Sequence, residues 1–291
     1  MYWFDEPIAE VGAEVLGAFI DVAVHVPADL QQKFTSTRAD VFGIVGRWLN
    51  QVHAYDLALA AFREGLMSAR KASEDVLAGF IMTGQAGVLM RQGRFDDVER
   101  YCVTAAAEYE PKMSEASDTQ LAVWGSLLIR ASGAAVRNNR SREAEEHLSL
   151  ARTAGARLGR EVLRHTSFGP TTLSAQAMEN QMLRDCPDKA IRIAESISGP
   201  ELDSLNASKR ARFKLDCAAA SARLGQRDDA MRIMNDLQTE FPERLRHQKQ
   251  AQRVMHEVIS SWKRTLPESA RNLADFLRVE LRDPSSPYRA L

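Results

Sequence analysis

The chain is poor in residues that interrupt helices: 291 residues include 10 prolines and 16 glycines. No stretch alternates β-branched and polar residues between hairpin turns, so a sheet is not expected. Cysteine is scarce. Cys102, Cys186 and Cys217 form neither an even set nor a CxxC pair, which argues against a disulfide framework and a zinc ribbon. They are read as buried free thiols in apolar helical stretches, as in a reducing cytoplasm. Apolar runs fall far short of the ~20 residues of a membrane span. The opening MYWFDEPIAE carries acids where a secretory signal needs a basic region, so neither a signal nor a membrane segment is expected. Lysine is rare, 8 against 30 arginines; a GC-rich genome accounts for that ratio without selection for phosphate binding.

Motifs of common chemistry are missing too. HExxH, GxSxG, GxxxxGKS and GxGxxG do not occur, and no two histidines lie three or four apart on a helix. No catalytic residue, metal site or cofactor is expected, and the chain is read as non-enzymatic. Asp96-Asp97 and Asp228-Asp229 look like paired acids. Each pair opens a helix, where negative charge complements the helix dipole.

What remains favours a well-packed globular chain. Apolar residues make up 45% and charged residues 26%, and the net charge is −1. At this length folding buries roughly 75% of the surface of the unfolded chain. Near-neutrality argues against a dedicated nucleic-acid binder. The balance hides an asymmetry: residues 1–120 carry 10 basic and 18 acidic residues, residues 121–200 carry 11 and 8, and residues 201–291 carry 17 and 13.

Helical periodicity, bracketed by stop signals, predicts about thirteen helices. They run over 6–25, 29–51, 55–69, 74–92, 95–109, 117–138, 141–158, 171–184, 187–197, 205–224, 227–240, 243–264 and 267–281. The tail DPSSPYRAL is expected to fray. Five of the turns carry one pattern, seen in HAYDLALAAF, GRFDDVERYC, NRSREAEEHL, DCPDKAIRIA and GQRDDAMRIM. Its small residues are Ala58, Val98, Ala144, Ala190 and Ala230, spaced by 40, 46, 46 and 40. A small side chain lets the second helix approach the first. Four residues on, Phe62, Cys102, Leu148, Ala194 and Met234 cover the same face one turn later.

This pattern resembles the tetratricopeptide repeat in its second helices. The spacing exceeds the ~34 residues usual there, and the first-helix positions are mostly replaced. The expected fold is therefore all-α, a tetratricopeptide-like helical-hairpin solenoid of about 12–14 helices forming one continuous unit. Residues 1–52 lead into the solenoid, 53–241 hold the repeats, 242–282 cap it and 283–291 form a flexible tail. The basic-and-apolar helix 244–264 fits the cap.

A narrower likeness lies in HTSFGPTT (165–172), YDLALAAFREGLMSA (55–69), MRQGRFDDVERY (90–101) and ARLGQRDDAMRIM (222–234). These are similar to the C-terminal repeat domains of actinobacterial Xre-type helix-turn-helix transcriptional regulators. Phe168, Gly169, Pro170, Thr171 and Leu173 follow that family's FGPTN motif, while Thr172 and Gln176 replace its Asn and His. No helix-turn-helix precedes residue 50. The resemblance implies a cytoplasmic sensor half that binds a peptide, a protein or a small signalling molecule, with no direct DNA contact, no membrane and a possible homodimer. A stand-alone interaction scaffold and a natural-product enzyme using the groove as a pocket are the alternatives.

Helical-hairpin solenoids bind through the concave face lined by first helices. Projecting the repeat places Arg47, Gln51, Thr83, Gly87, Arg91, Ser126, Gly133, Arg137 and Arg223 there. The ligand-binding groove is expected to use Arg130, Thr172, Gln176, Asn180, Arg212 and Asp216. Arg91, Arg137 and Arg223 sit near helix ends, where a cation is favoured by the dipole alone.

Overall fold

The computed structural model describes residues 27–163, 167–246, 248–260, 262 and 266–279. Predicted helix 6–25 and the tail lie outside them. Among the described residues the fold is all-α, with fourteen α-helices, one 3-10 turn and a two-stranded ribbon. The helices are α1 (Gln31–Gln51), α2 (Tyr55–Lys71), α3 (Asp75–Arg91), α4 (Phe95–Glu108), α5 (Asp118–Arg137) and α6 (Ser141–Leu158). After β1 (Val162–Leu163) and β2 (Ser167–Phe168) come α7 (Pro170–Leu183), α8 (Pro187–Glu195), α9 (Gly199–Asp203) and α10 (Ala207–Arg223). The last are α11 (Arg227–Glu240), α12 (Pro242–Arg246), α13 (Lys249–Ser260) and α14 (Glu268–Phe276).

Predicted helix limits agree with these to within a few residues. Three features were not expected. The ribbon pairs Val162 with Phe168 and Leu163 with Ser167, antiparallel. A short helix, α9, starts at a capping box between Ser198 and Glu201. The single helix expected over 243–264 is two, α12 and α13. The chain also forms two compact units, dividing between Leu173 and Ser174, where one continuous unit was expected.

The repeat is explicit in the backbone. His53, Gly93, Asn139, Asp185 and Gly225 all have positive φ, between 57° and 75°. Each lies five residues before the small residue of its repeat, and those residues are 0–3% exposed. After each left-handed residue the next amide returns to a helical carbonyl. Ala54 N–H donates to Leu49, Arg94 to Leu89, Arg140 to Ala135, Cys186 to Gln181 and Gln226 to Ser221, all at 2.9–3.0 Å. This six-to-one bond closes the helix C-terminus; the same geometry follows Ser73 and Arg278, so it ends seven helices among the described residues.

In the first unit glycine sets the spacing of the helices. Phe62 of α2 is fully buried. Its ring occupies the space a side chain would need at Gly46 of α1 and at Gly84 of α3; a Cβ at Gly46 would stand 2.8 Å from it. Likewise a Cβ at Gly79 of α3 would lie 2.5 Å from Val123 of α5. So α2 packs closely on α1 and α3, and α3 on α5. The row of α2, α4 and α6 is bridged instead by long side chains: Arg70–Glu108 at 3.2 Å, Arg140–Glu99 at 2.6 Å and His147–Glu99 at 3.0 Å. α1 packs on α3 and α3 on α5; in a helical-hairpin solenoid such first helices line the concave face.

In the second unit α10 packs on α8, α11 and α13. Its core holds Met178, Met234, Leu237, Met255 and Leu273. Ala251, Val254, Met255 and Val258 bury the apolar side of α13, which matches the expected packing of that amphipathic segment.

Two glycines separate the two kinds of constraint. Gly225 has φ +75° and no atom near a hypothetical Cβ, so Gly225→Ala should cost about 1 kcal/mol, the left-handed penalty alone. Gly84→Ala would gain about 1 kcal/mol of helix propensity yet drive a methyl into the Phe62 ring. Overpacking of this kind costs about 1–3 kcal/mol, so denaturant unfolding should show a net loss.

Candidate functional site

The inner face of the first unit carries an uneven set of charges. Its helices carry Arg47, Arg91, Arg130 and Arg137; Asp40 shares the face of Arg47 on α1, and Asp75 and Asp118 open α3 and α5. Arg47 is placed by α1. It donates to the Phe80 carbonyl at 2.8 Å and to Thr83 Oγ1 at 2.9 Å, and its guanidinium lies 3.8 Å from the Phe80 ring centre. Its Nε is buried without a partner, as is Oδ1 of the neighbouring Asn50. Burial, and then the charge of Arg130, push the Arg47 guanidinium down to about 9. Two cations therefore share one partly dry site.

Gly87 lies beside Asn50 and Arg130. A Cβ there would meet only Asn50 Nδ2 at 3.5 Å and Arg130 Nη2 at 3.8 Å, ordinary contacts. Packing thus requires glycine at Gly79 and Gly84 but not at Gly87, although glycine inside a helix costs about 0.8–1.0 kcal/mol relative to alanine. Flanking the arginines on α1, Ile44 is 64% and Trp48 41% exposed. With Arg47 and Gln51 they follow the i, i+3, i+4, i+7 spacing of one helix face.

Arg91 donates to Gln51 at 3.0 Å, and Arg137 to the Gly133 carbonyl of its own last turn at 2.7 Å. Arg223, at the end of α10, donates to the Met182 carbonyl at 3.1 Å. All three occupy last turns, as expected.

The other expected groove residues serve local structure. Thr172 is in the first turn of α7. Its N–H and its hydroxyl both donate to the Glu161 carboxylate, at 2.8 and 2.9 Å. Glu161 precedes the ribbon, which folds the chain back so that this carboxylate meets the helix start. Phe168 is fully buried, with its ring where Gly125 of α5 would carry a side chain. At Gly169 a Cβ would stand 2.8 Å from Glu161 Cα. The FGPTT motif is thereby accounted for as an anchor, a close approach, a helix-starting proline and a cap.

In the second unit Gln176 donates to Asn180 at 3.0 Å. Arg212 bridges Glu179 at 3.1 Å and Asp216 at 3.0 Å, and Gln250 donates to Asp216. Asp216 is 5% exposed. Burial raises its carboxyl above the usual range, against the pull of Arg212. Glu179 and Gln250, which complete this network, had no signal in the sequence; only the fold brings α7 and α13 to α10.

Cys102 is buried and its thiol is pushed up to about 12 by that burial. Cys186 is only half-buried and sits in a turn at the start of α8, where a buried helical position was expected. Among the described residues no three or more of His, Cys, Asp and Glu are grouped to hold a metal ion. No helix there is long and apolar enough to cross a membrane.

The chain matches no family model and no curated protein.

Arg212→Ala should destabilise the second unit by about 2–3 kcal/mol. This is below the ~3–5 of a fully buried pair because Arg212 is half exposed. Asp216 gives the sign for pH. A carboxyl whose folded pKa is raised contributes stability below its unfolded pKa and loses it as pH rises through the folded value. Asp216→Asn should therefore flatten the decline of stability that sets in above about pH 4, measured by urea unfolding at a series of pH values.

Proposed function

We propose that this chain is a non-enzymatic binding domain whose site is the concave face of the first unit, taking a peptide, protein or small molecule through an anionic group. The observation behind this reading is the buried guanidinium of Arg47 with the Arg130 charge near it, and Gly87, whose missing side chain faces Asn50 and Arg130. Guanidinium pairs suit carboxylate and phosphate oxygens, which accept two parallel N–H bonds. Buried donors and acceptors without partners, Arg47 Nε and Asn50 Oδ1, are groups that a ligand would satisfy. A regulatory role in transcription, from a cytoplasmic position and without direct DNA contact, rests on the resemblance to Xre-type regulators. Thr172, Gln176, Asn180, Arg212 and Asp216 act in this reading as supports of the fold.

Native mass spectrometry of the protein from its own host tests the assignment. A bound species should co-purify with the wild-type chain and be lost from Arg130→Ala, while Arg212→Ala keeps it. Retention in Arg130→Ala would sink the assignment. Gly87→Ala should show opposite effects in two assays: thermal stability raised by up to about 1 kcal/mol and occupancy reduced. A site of this kind sacrifices stability for room.

A further inference from the structure

Two guanidiniums stand over successive turns of α3. Arg47 of α1 donates to the Phe80 carbonyl and to Thr83 Oγ1, at 2.8 and 2.9 Å. Arg130 of α5 places its Nη2 3.8 Å from the point where a side chain at Gly87 would begin, and Asn50 Nδ2 lies 3.5 Å from the same point. Among the described residues, these two nitrogens are all that comes within 4 Å of it, apart from the backbone of α3 and the residues flanking the glycine. Both nitrogens donate, so an atom held there has to accept hydrogen bonds.

The carboxylates of these three helices stand away from the donors. Asp40 shares the face of Arg47 but lies seven residues before it, about 10 Å along the axis. Asp75 precedes Gly87, and Asp118 precedes Arg130, by twelve residues, about 18 Å. Charge and shape then narrow the anion. Burial, and after it the charge of Arg130, disfavour the charged form of Arg47, so the ligand held most tightly is one that balances both cations. A carboxylate brings one negative charge. A phosphate monoester brings about 1.5–2 at pH 7. Its three terminal oxygens are set tetrahedrally, so guanidiniums arriving from two helices can share them. Beside Arg47, exposed Ile44 and Trp48 offer apolar surface to the alcohol part of such an ester.

We infer that this face takes the dianion of a phosphate monoester, whose phosphoryl oxygens meet Arg47, Arg130 and Asn50 and whose apolar body lies on Ile44 and Trp48. The inference rests on the binding role proposed for this face and names its ligand class.

Isothermal titration of the full chain with phenyl phosphate, benzenesulfonate and benzoate separates charge from shape, since the three share one ring. Near neutral pH, phenyl phosphate should bind about tenfold more tightly than the other two, and more tightly than inorganic phosphate, which lacks the ring. Its advantage over them should fade at about pH 5, below the second phosphate pKa of about 6. Arg130→Ala should abolish the advantage, and Arg130→Lys, which keeps the charge without the planar fork, should restore part of it. Circular dichroism checks that both variants fold, and the pH series on the wild type stands without them. Equal affinity for the three ligands, lost in Arg130→Ala, would overturn the inference and leave the anion site standing. Binding of none of them would remove both. A preference for phenyl phosphate that persists in folded Arg130→Ala, or inorganic phosphate binding as tightly as the ester, would also overturn the inference.

Discussion

One side chain, Phe62, sets the spacing of the first unit. Its ring fills the space left by glycine on two neighbouring helices, Gly46 and Gly84, and so ties α2 to α1 and α3 at once. Burying a phenylalanine stabilises by about 1.5–3 kcal/mol, but the geometric consequence matters more. Beside this packing, Arg47 of α1 reaches across to the Phe80 carbonyl and the Thr83 hydroxyl of α3. Val123 against Gly79 and Phe168 against Gly125 repeat the device farther along.

Glycine serves three ends in this chain, and the sequence letters do not distinguish them. At Gly93 and Gly225 it supplies a left-handed turn. At Gly46, Gly79, Gly84 and Gly125 it makes room for a neighbour's side chain. At Gly87 neither need exists, and a side chain there would meet only Asn50 and Arg130 in ordinary contact. A helix position that gives up stability with no packing reason supports the binding role proposed for this face.

The fold was largely legible in the sequence because its determinants are local. Helix ends, the five small residues and the left-handed turns all act within ten residues of one another. His53, Asn139 and Asp185 were less visible as turn residues, because they take positive φ without being glycine. The ribbon at 162–168 escaped notice because two residues per strand leave no alternation to read. The division into two units was hidden too, since α7 reads as one helix through the boundary. Of the expected site, Arg130 was found by projecting the repeat. Arg212 and Asp216 fell at projected groove positions, yet Glu179 and Gln250 engage them, and these partners come from helices whose placement no local rule predicts.

The central claim is that the first unit's concave face, and not the Arg212–Asp216 network, receives the ligand. Nuclear magnetic resonance of the arginine Nε–Hε groups, recorded on the full chain with and without host extract, tests it most directly. Arg47 and Arg130 should shift together while Arg212 stays in place. A shift of Arg212 with Arg47 and Arg130 unmoved would contradict the account.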